Sequence, residues 1–397
     1  MISRIALLVI CFFIAQTNAQ SGPADVSGSQ PASQSSLARE TVLAVVPLNG
    51  AINVMTNQVI HVSLASADTT SPLTLESVSL LKDGRKIDGE LIKAHSAAQF
   101  IPHVLQYNNT YTIVVTASLR RVGTDKVVAT KYSSTFTTIN PRADWVVFFR
   151  DFDDELPKLY SEKDLHDHWH VKGKPVGLKQ GRVSVIAGDK ENHSNMLRIR
   201  YPALTRGLDA GGVQWRTRLP KHEELYVSFW VKFGADFDFV RGGKIPGLAG
   251  GTANTGGGTN PNAKPKGNDG WSARMMWRPK GSAVQYMYHP DQPNPAGEDF
   301  EWAINGQRYF TPGKWHTVET RIKMNTPGKR NGIVQSWFDG ALALDRRDVR
   351  FRDVDTFAID QFLFCTIFGG SDDTWATTKE EFSYFDNFIV STRPITH

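Results

Sequence analysis

Gly270-Trp271-Ser272-Ala273-Arg274-Met275-Met276-Trp277, then Arg278-Pro279-Lys280-Gly281-Ser282, then Ala283-Val284-Gln285-Tyr286-Met287-Tyr288-His289, reads as a β-hairpin. Pro279 and Gly281 mark the turn. With the turn centred on Lys280, Ser272 faces Tyr288 and Arg274 faces Tyr286. Residues two apart share a face of a strand, and opposed Cβ atoms lie about 5 Å apart. One face therefore collects an Arg, a Ser and two Tyr. The other carries Ala273, Met275, Trp277 and Met287, which suits a core. A slip of one residue would scatter the polar set.

The flanking sequence has the same period. In Tyr226-Val227-Ser228-Phe229-Trp230-Val231-Lys232-Phe233, the odd-numbered residues are apolar and point one way. Residues 315–324 alternate similarly, with Val318, Ile322 and Met324 on one face, and residues 382–390 form the last strong strand. No sustained helical period is visible. Residues 144–397 are thus expected to form an all-β jelly-roll sandwich, built of antiparallel strands with one long Gly-rich loop at 250–270. Upstream, residues 41–140 alternate short apolar strands with turns such as Lys82-Asp83-Gly84-Arg85. That length and spacing predict a smaller β-sandwich. A spacer role is favoured for it over sugar binding.

The first nineteen residues read as a signal peptide. Arg4 precedes an apolar run at 5–15, and Thr17-Asn18-Ala19 offers small residues for cleavage. A secreted protein follows as the expectation. Residues 20–40, rich in Ser, Gln, Pro and Gly, read as a flexible linker. Of two cysteines, Cys11 leaves with the leader, so Cys365 stays alone; its apolar setting predicts a buried core thiol. The net charge of +5 favours an acidic partner. No run of five basic residues points to nucleic acid, and no later stretch is long and apolar enough to span a membrane.

The site readings rest partly on a resemblance. Residues 227–251, with Phe229-Trp230-Val231-Lys232-Phe233 and Gly242-Gly243-Lys244-Ile245-Pro246-Gly247-Leu248, resemble polysaccharide lyase family fourteen, the alginate-lyase-like jelly rolls. So do Ser272-Ala273-Arg274-Met275-Met276-Trp277-Arg278, Tyr286-Met287-Tyr288 and Phe385-Asp386-Asn387-Phe388. The N-terminal sandwich resembles bacterial Ig-like modules through Val45-Val46-Pro47-Leu48-Asn49-Gly50-Ala51 and Tyr111-Thr112-Ile113-Val114-Val115. The lyase resemblance implies that Lys244, Ser272, Arg274, Tyr286 and Tyr288 form a catalytic cleft. Lys244 joins the hairpin residues chiefly on this ground.

The chemistry of the residues agrees. Cleaving a uronate polymer by β-elimination requires removing the C5 proton beside a carboxylate. A guanidinium such as Arg274 grips the carboxylate and stabilises the developing charge. Lys244, Tyr286 and Tyr288 are the acid and base candidates; their types do not say which is which, and Lys244 is equally suited to binding the carboxylate. Ser272, Arg241, Trp271 and His289 are candidate substrate contacts. The expected partner is an acidic polysaccharide, alginate first and β-1,4-glucuronan second, with the chain acting as a monomer. A lectin-like protein is the alternative of another class. It has no evident need for a Lys, an Arg and two Tyr in one cleft. The reaction requires no cofactor. Phe152-Asp153-Asp154-Glu155, read as the lead-in to the first jelly-roll strand, is expected beside Asp386, where a structural calcium would be accommodated. His166, His168 and His170 would share a face if they lay on a strand. An exposed polar segment is preferred there over a zinc site.

Overall fold

The computed structural model describes residues 41–66, 73–94, 96–120, 127–171, 173–189, 194–252 and 264–395. The leader, Cys11, the linker and most of the Gly-rich loop fall outside these. Residues 41–138 form a sandwich of a four-stranded and a five-stranded sheet. Its Lys82-Asp83-Gly84-Arg85 turn is the expected two-residue hairpin. Lys82 pairs with Arg85 across Asp83 and Gly84, both at positive φ.

The remainder is a jelly roll of two facing sheets. One has nine strands; the other has six and carries the hairpin. Val227, Phe229, Val231 and Phe233 are wholly buried between them, as the alternation requires. They meet Ala273, Met275, Trp277 and Met287 from the six-stranded sheet in one continuous core. Trp215 and Phe364 stack 3.8 Å apart at its centre.

The outward residues of the nine-stranded sheet are less exposed than alternation suggests. Tyr226, Trp230, Trp337 and Ile389 pack with Met55, Tyr107 and Ile139 of the small sandwich and its exit. Asn57 reinforces the contact, donating to Asp386 Oδ2 at 3.2 Å and accepting from Asn387 at 2.8 Å. Asn387 can reach it because the last strand bulges there. Ser228 pairs with Ile389 and Trp230 with Asp386, which leaves one extra residue on the strand, and Asn387 adopts φ 53°. The small sandwich therefore docks on the back of the jelly roll.

Two sequence expectations change. Residues 162–169, read as an exposed polar segment in a sequence with no sustained helical period, form a helix, Glu162–Trp169. Ser161 and Asp164 form a capping box, and Leu165 and Trp169 bury one face at i,i+4 spacing. On a helix, His166 and His168 point apart, and His170 ends it in a left-handed conformation. His168 lies near Glu155 and Asp164, but Lys158 already bridges that pair of acids and Arg150 pairs with Glu155. Phe152-Asp153-Asp154-Glu155 follows the strand Val146–Arg150 and so is its exit, not its lead-in. It does reach Asp386: Ser194 bonds Asp386 at 2.8 Å and also Asp153. Among the described residues no helix is long and apolar enough to cross a membrane.

Candidate active site

The six-stranded sheet runs Val213–His222, Ile359–Phe368, Gly243–Gly251, Gly270–Trp277, Ala283–Tyr288, Glu298–Glu301, all antiparallel. Its hairpin has the predicted register: Ser272 opposes Tyr288, and Arg274 opposes Tyr286. Lys280 takes φ 64° at the turn, which sets this pairing.

Lys244 reaches the same face by a less visible route. It pairs with Met276, and Met276 lies two residues from Arg274, on its side of the strand. Beyond Lys244 the register shifts, because Pro246 is an extra residue: Ile245 pairs with Met275 but Gly247 with Arg274. Proline has no N–H for a ladder bond, so a bulge suits it. The next strand delivers Cys365, buried as expected but on the cleft side rather than in the main core. It packs with Ala249, Leu363 and Ile367, and Arg274 Nη1 donates to its Sγ at 3.7 Å.

Arg274 lies 5.8 and 5.6 Å from the Tyr286 and Tyr288 ring centroids. Lys244 Nζ lies 5.3 Å from the Tyr286 ring, and the two tyrosine hydroxyls are 3.4 Å apart. Burial, together with the charges of Arg274 and then Arg278, lowers the Lys244 ammonium to about 7. Burial and Tyr288 push the Tyr286 phenol well above its ordinary value. The two groups are shifted in opposite directions from similar starting points, so at neutral pH a basic amine sits beside a protonated phenol.

The loop 290–297, missed in the sequence, covers the tyrosines. Gln292 is wholly buried; it accepts from His289 N and donates to the carbonyls of Asn294, Pro295 and Ala296. So pinned, the loop brings Gly297 over both rings. Its N–H donates to Tyr286 Oη at 3.0 Å, and a Cβ there would fall 2.8 Å from the Tyr286 ring and 2.9 Å from the Tyr288 ring. The signal in the sequence was the run of Pro290, Pro293 and Pro295 ending in Gly297. Asp299, opposite Tyr286, holds Arg278 through two bonds of 2.7 and 2.5 Å.

The other substrate-contact candidates are placed unevenly. Arg241 lies exposed at the rim. Ser272 is wholly buried beside Tyr288. Trp271 is a correction: it points between the sheets, has no exposure and packs against Phe351. His289 is another, since the same alternation turns it away from the tyrosine face. It is buried against Phe300 and bonds Glu298 at 2.8 Å.

Known proteins share this fold. The solved alginate lyase Aly36B is 25% identical, with a TM-score of 0.53, covering 64% of this chain and 100% of its own. A marine PL-14 alginate lyase from Aplysia kurodai is also 25% identical, with a TM-score of 0.53, covering 62% and 99%. The alginate lyase vAL-1 from Chlorella virus, 21% identical with a TM-score of 0.50 over 62% of this chain and 100% of its own, shares the fold. No curated protein matches. The bacterial Ig-like domain profile matches residues 38–138. The polysaccharide lyase 14 profile matches residues 189–388, just over half of the sequence, and the chain belongs to that family of polysaccharide lyases.

Proposed function

We propose that this enzyme cleaves a uronic-acid polysaccharide, with alginate as its substrate, by β-elimination. The observation that carries the reading is the common face of Lys244, Arg274, Tyr286 and Tyr288. Arg274 pairs with the substrate carboxylate and stabilises the charge that develops as C5 loses its proton. Lys244, held near 7, takes that proton as a neutral amine. The electron pair left at C5 forms the C4–C5 double bond as the C4–O4 bond breaks, and that bond's own pair leaves with O4. Tyr286, which keeps its proton, donates it to the leaving O4. The Gly297 N–H already points at Tyr286 Oη and supports the resulting phenolate. Solvent then returns the proton from Lys244 to Tyr286. Tyr288, within 3.4 Å of the Tyr286 hydroxyl, steadies it.

The choice of polymer is supported by the similar solved structures, among them an Aly36B variant bound to an alginate trisaccharide. We also read the enzyme as exported, from Arg4 and the apolar run that follows it. The test is incubation with alginate, its mannuronate-rich and guluronate-rich blocks, and glucuronan, while following ultraviolet absorbance from a new C4–C5 double bond. Absorbance with alginate is expected. Absorbance with glucuronan alone would change the substrate. Binding of the polymers without absorbance would replace the lyase reading with a lectin, and new reducing ends without absorbance with a hydrolase.

A further inference from the structure

Next to the catalytic face, beyond Tyr286, stands a second cationic group that the elimination does not use. Trp375 ends a short 3₁₀ turn, Asp373–Trp375, capped by Asp372. The guanidinium of Arg241 lies 5.1 Å from its ring centroid and that of Arg278 lies 5.9 Å away. Arg278 is also 5.5 Å from the Tyr286 ring. Arg241, Trp375, Arg278 and Tyr286 thus form a continuous row leading out of the site.

The backbone is shaped to admit this row. A Cβ on Gly370 would fall 2.1 Å from the Trp375 indole, and one on the preceding Gly369 would fall 3.0 Å from Lys244 Nζ. The glycine pair therefore clears space for the catalytic amine on one side and for the indole on the other. Trp375 and Lys244 thus lie against adjacent glycines.

The two arginines are not equivalent. Arg278 is paired through two hydrogen bonds with Asp299. Arg241 is exposed, and Nη1 donates to the Thr374 hydroxyl at 2.7 Å. Asp372 feels its charge, but that carboxylate is taken up by the Thr374 N–H at 3.0 Å and by the Thr374 hydroxyl. Among the described residues no carboxylate lies within ion-pair distance of Arg241. A guanidinium fixed by an indole and a hydroxyl, with donors left over, is preorganised for a carboxylate. A uronic-acid polymer carries one on every residue, so a chain whose reacting uronate sits at Arg274 brings further carboxylates along the cleft.

We propose that Arg241, oriented by Trp375 and Thr374, is the receptor for the carboxylate of a uronate flanking the one that is cleaved. This rests on the lyase reading and adds to it a binding position that selects an acidic over a neutral neighbour. Trp375 acts through Arg241 and is a positioning residue. Steady-state kinetics on alginate and calorimetry with alginate oligosaccharides test the proposal. Arg241→Ala should raise KM about tenfold, the loss of one charge-assisted contact, with the change in KM rather than kcat. Arg241→Lys should restore part of it, and Trp375→Ala should shift KM the same way by less. The KM penalty of Arg241→Ala should shrink at high salt. An unchanged KM in Arg241→Ala, or an equal loss in kcat, would overturn the assignment. Calorimetry on Lys244→Ala, with and without Arg241→Ala, separates the two readings. If wild-type enzyme makes no double bond yet Arg241→Ala still weakens oligosaccharide binding, the receptor stands and the elimination falls. If elimination proceeds and the weakening is absent, the receptor alone falls.

Discussion

Two half-buried lysines, one on each sheet's outer face, show how the same side chain is put to different use. Lys232, on the nine-stranded sheet, sits 5.0 Å from the Trp315 ring and 5.4 Å from the Tyr384 ring, and forms an ion pair with Asp189. Lys244, on the six-stranded sheet, sits 5.3 Å from the Tyr286 ring. Among its charged neighbours Arg274 and Arg278 outweigh the opposing Asp299, and no carboxylate lies within ion-pair distance among the described residues. An aromatic wall is common to both. The sign of the nearby charge is not. An acid beside Lys232 ties it down as a structural strap. Cations beside Lys244 oppose its charge, adding to desolvation and bringing the amine down to about 7. The pairing on the back face and its absence in the cleft thus separate a structural lysine from the one proposed as the base.

The largest effect should come from removing the cleft lysine. Lys244→Ala should lower kcat on alginate by on the order of 10²–10⁴-fold with an unchanged circular dichroism spectrum. Lys232→Ala should lower the melting temperature and leave kcat alone. Equal kinetic losses in the two variants would erase the distinction. Arg274→Ala should come next, with a loss of about 10²–10³-fold.

The pH profile sharpens the same contrast. If Lys244 is the base, kcat/KM should rise with pH through an apparent pKa near 7 and should fall only above the ordinary phenol range, because Tyr286 is shifted upward. Stability should follow the amine too. A lysine whose folded pKa is lowered costs most below that pKa, where the buried amine must be charged. The cost is relieved as pH rises from about 7 toward the ordinary lysine value. Lys244→Met should therefore melt at a higher temperature than wild type at pH 6, with the gap closing by pH 10. A lower melting temperature at pH 6 would show that the amine is not desolvated at net cost.

These contrasts were only partly legible in the sequence. The hairpin was, since Pro279 and Gly281 fix the turn and alternation does the rest. Lys244 was not, because the bulge at Pro246 resets the two-residue period, so counting along the strand gives no reliable face. Trp271 and His289 were placed in the cleft by nearness in sequence, whereas alternation alone sends both to the opposite side. The helix Glu162–Trp169 was hidden by histidines at every second residue, although Ser161 with Asp164 and Leu165 with Trp169 carried its signature. The outward aromatics Tyr226 and Trp230 gave no hint of their cover, because a partner surface supplied by a distant segment leaves no local period.

That cover is the weakest of the contrasts and the easiest to probe. The two outer faces differ in what lies on them: the catalytic face is roofed by a short loop, the back face by an entire sandwich. Met55 is 5% exposed and belongs to the apolar cluster shared with Tyr226, Ile389 and Ile395. Met55→Ala should remove about 2 kcal/mol of packing and lower the melting temperature by a few degrees. Because the cleft lies across the core from this contact, kcat and KM on alginate should stay within twofold of wild type. A kinetic loss larger than the stability loss would mean that the docked module influences the cleft through the shared core, and that the back face is more than a structural support.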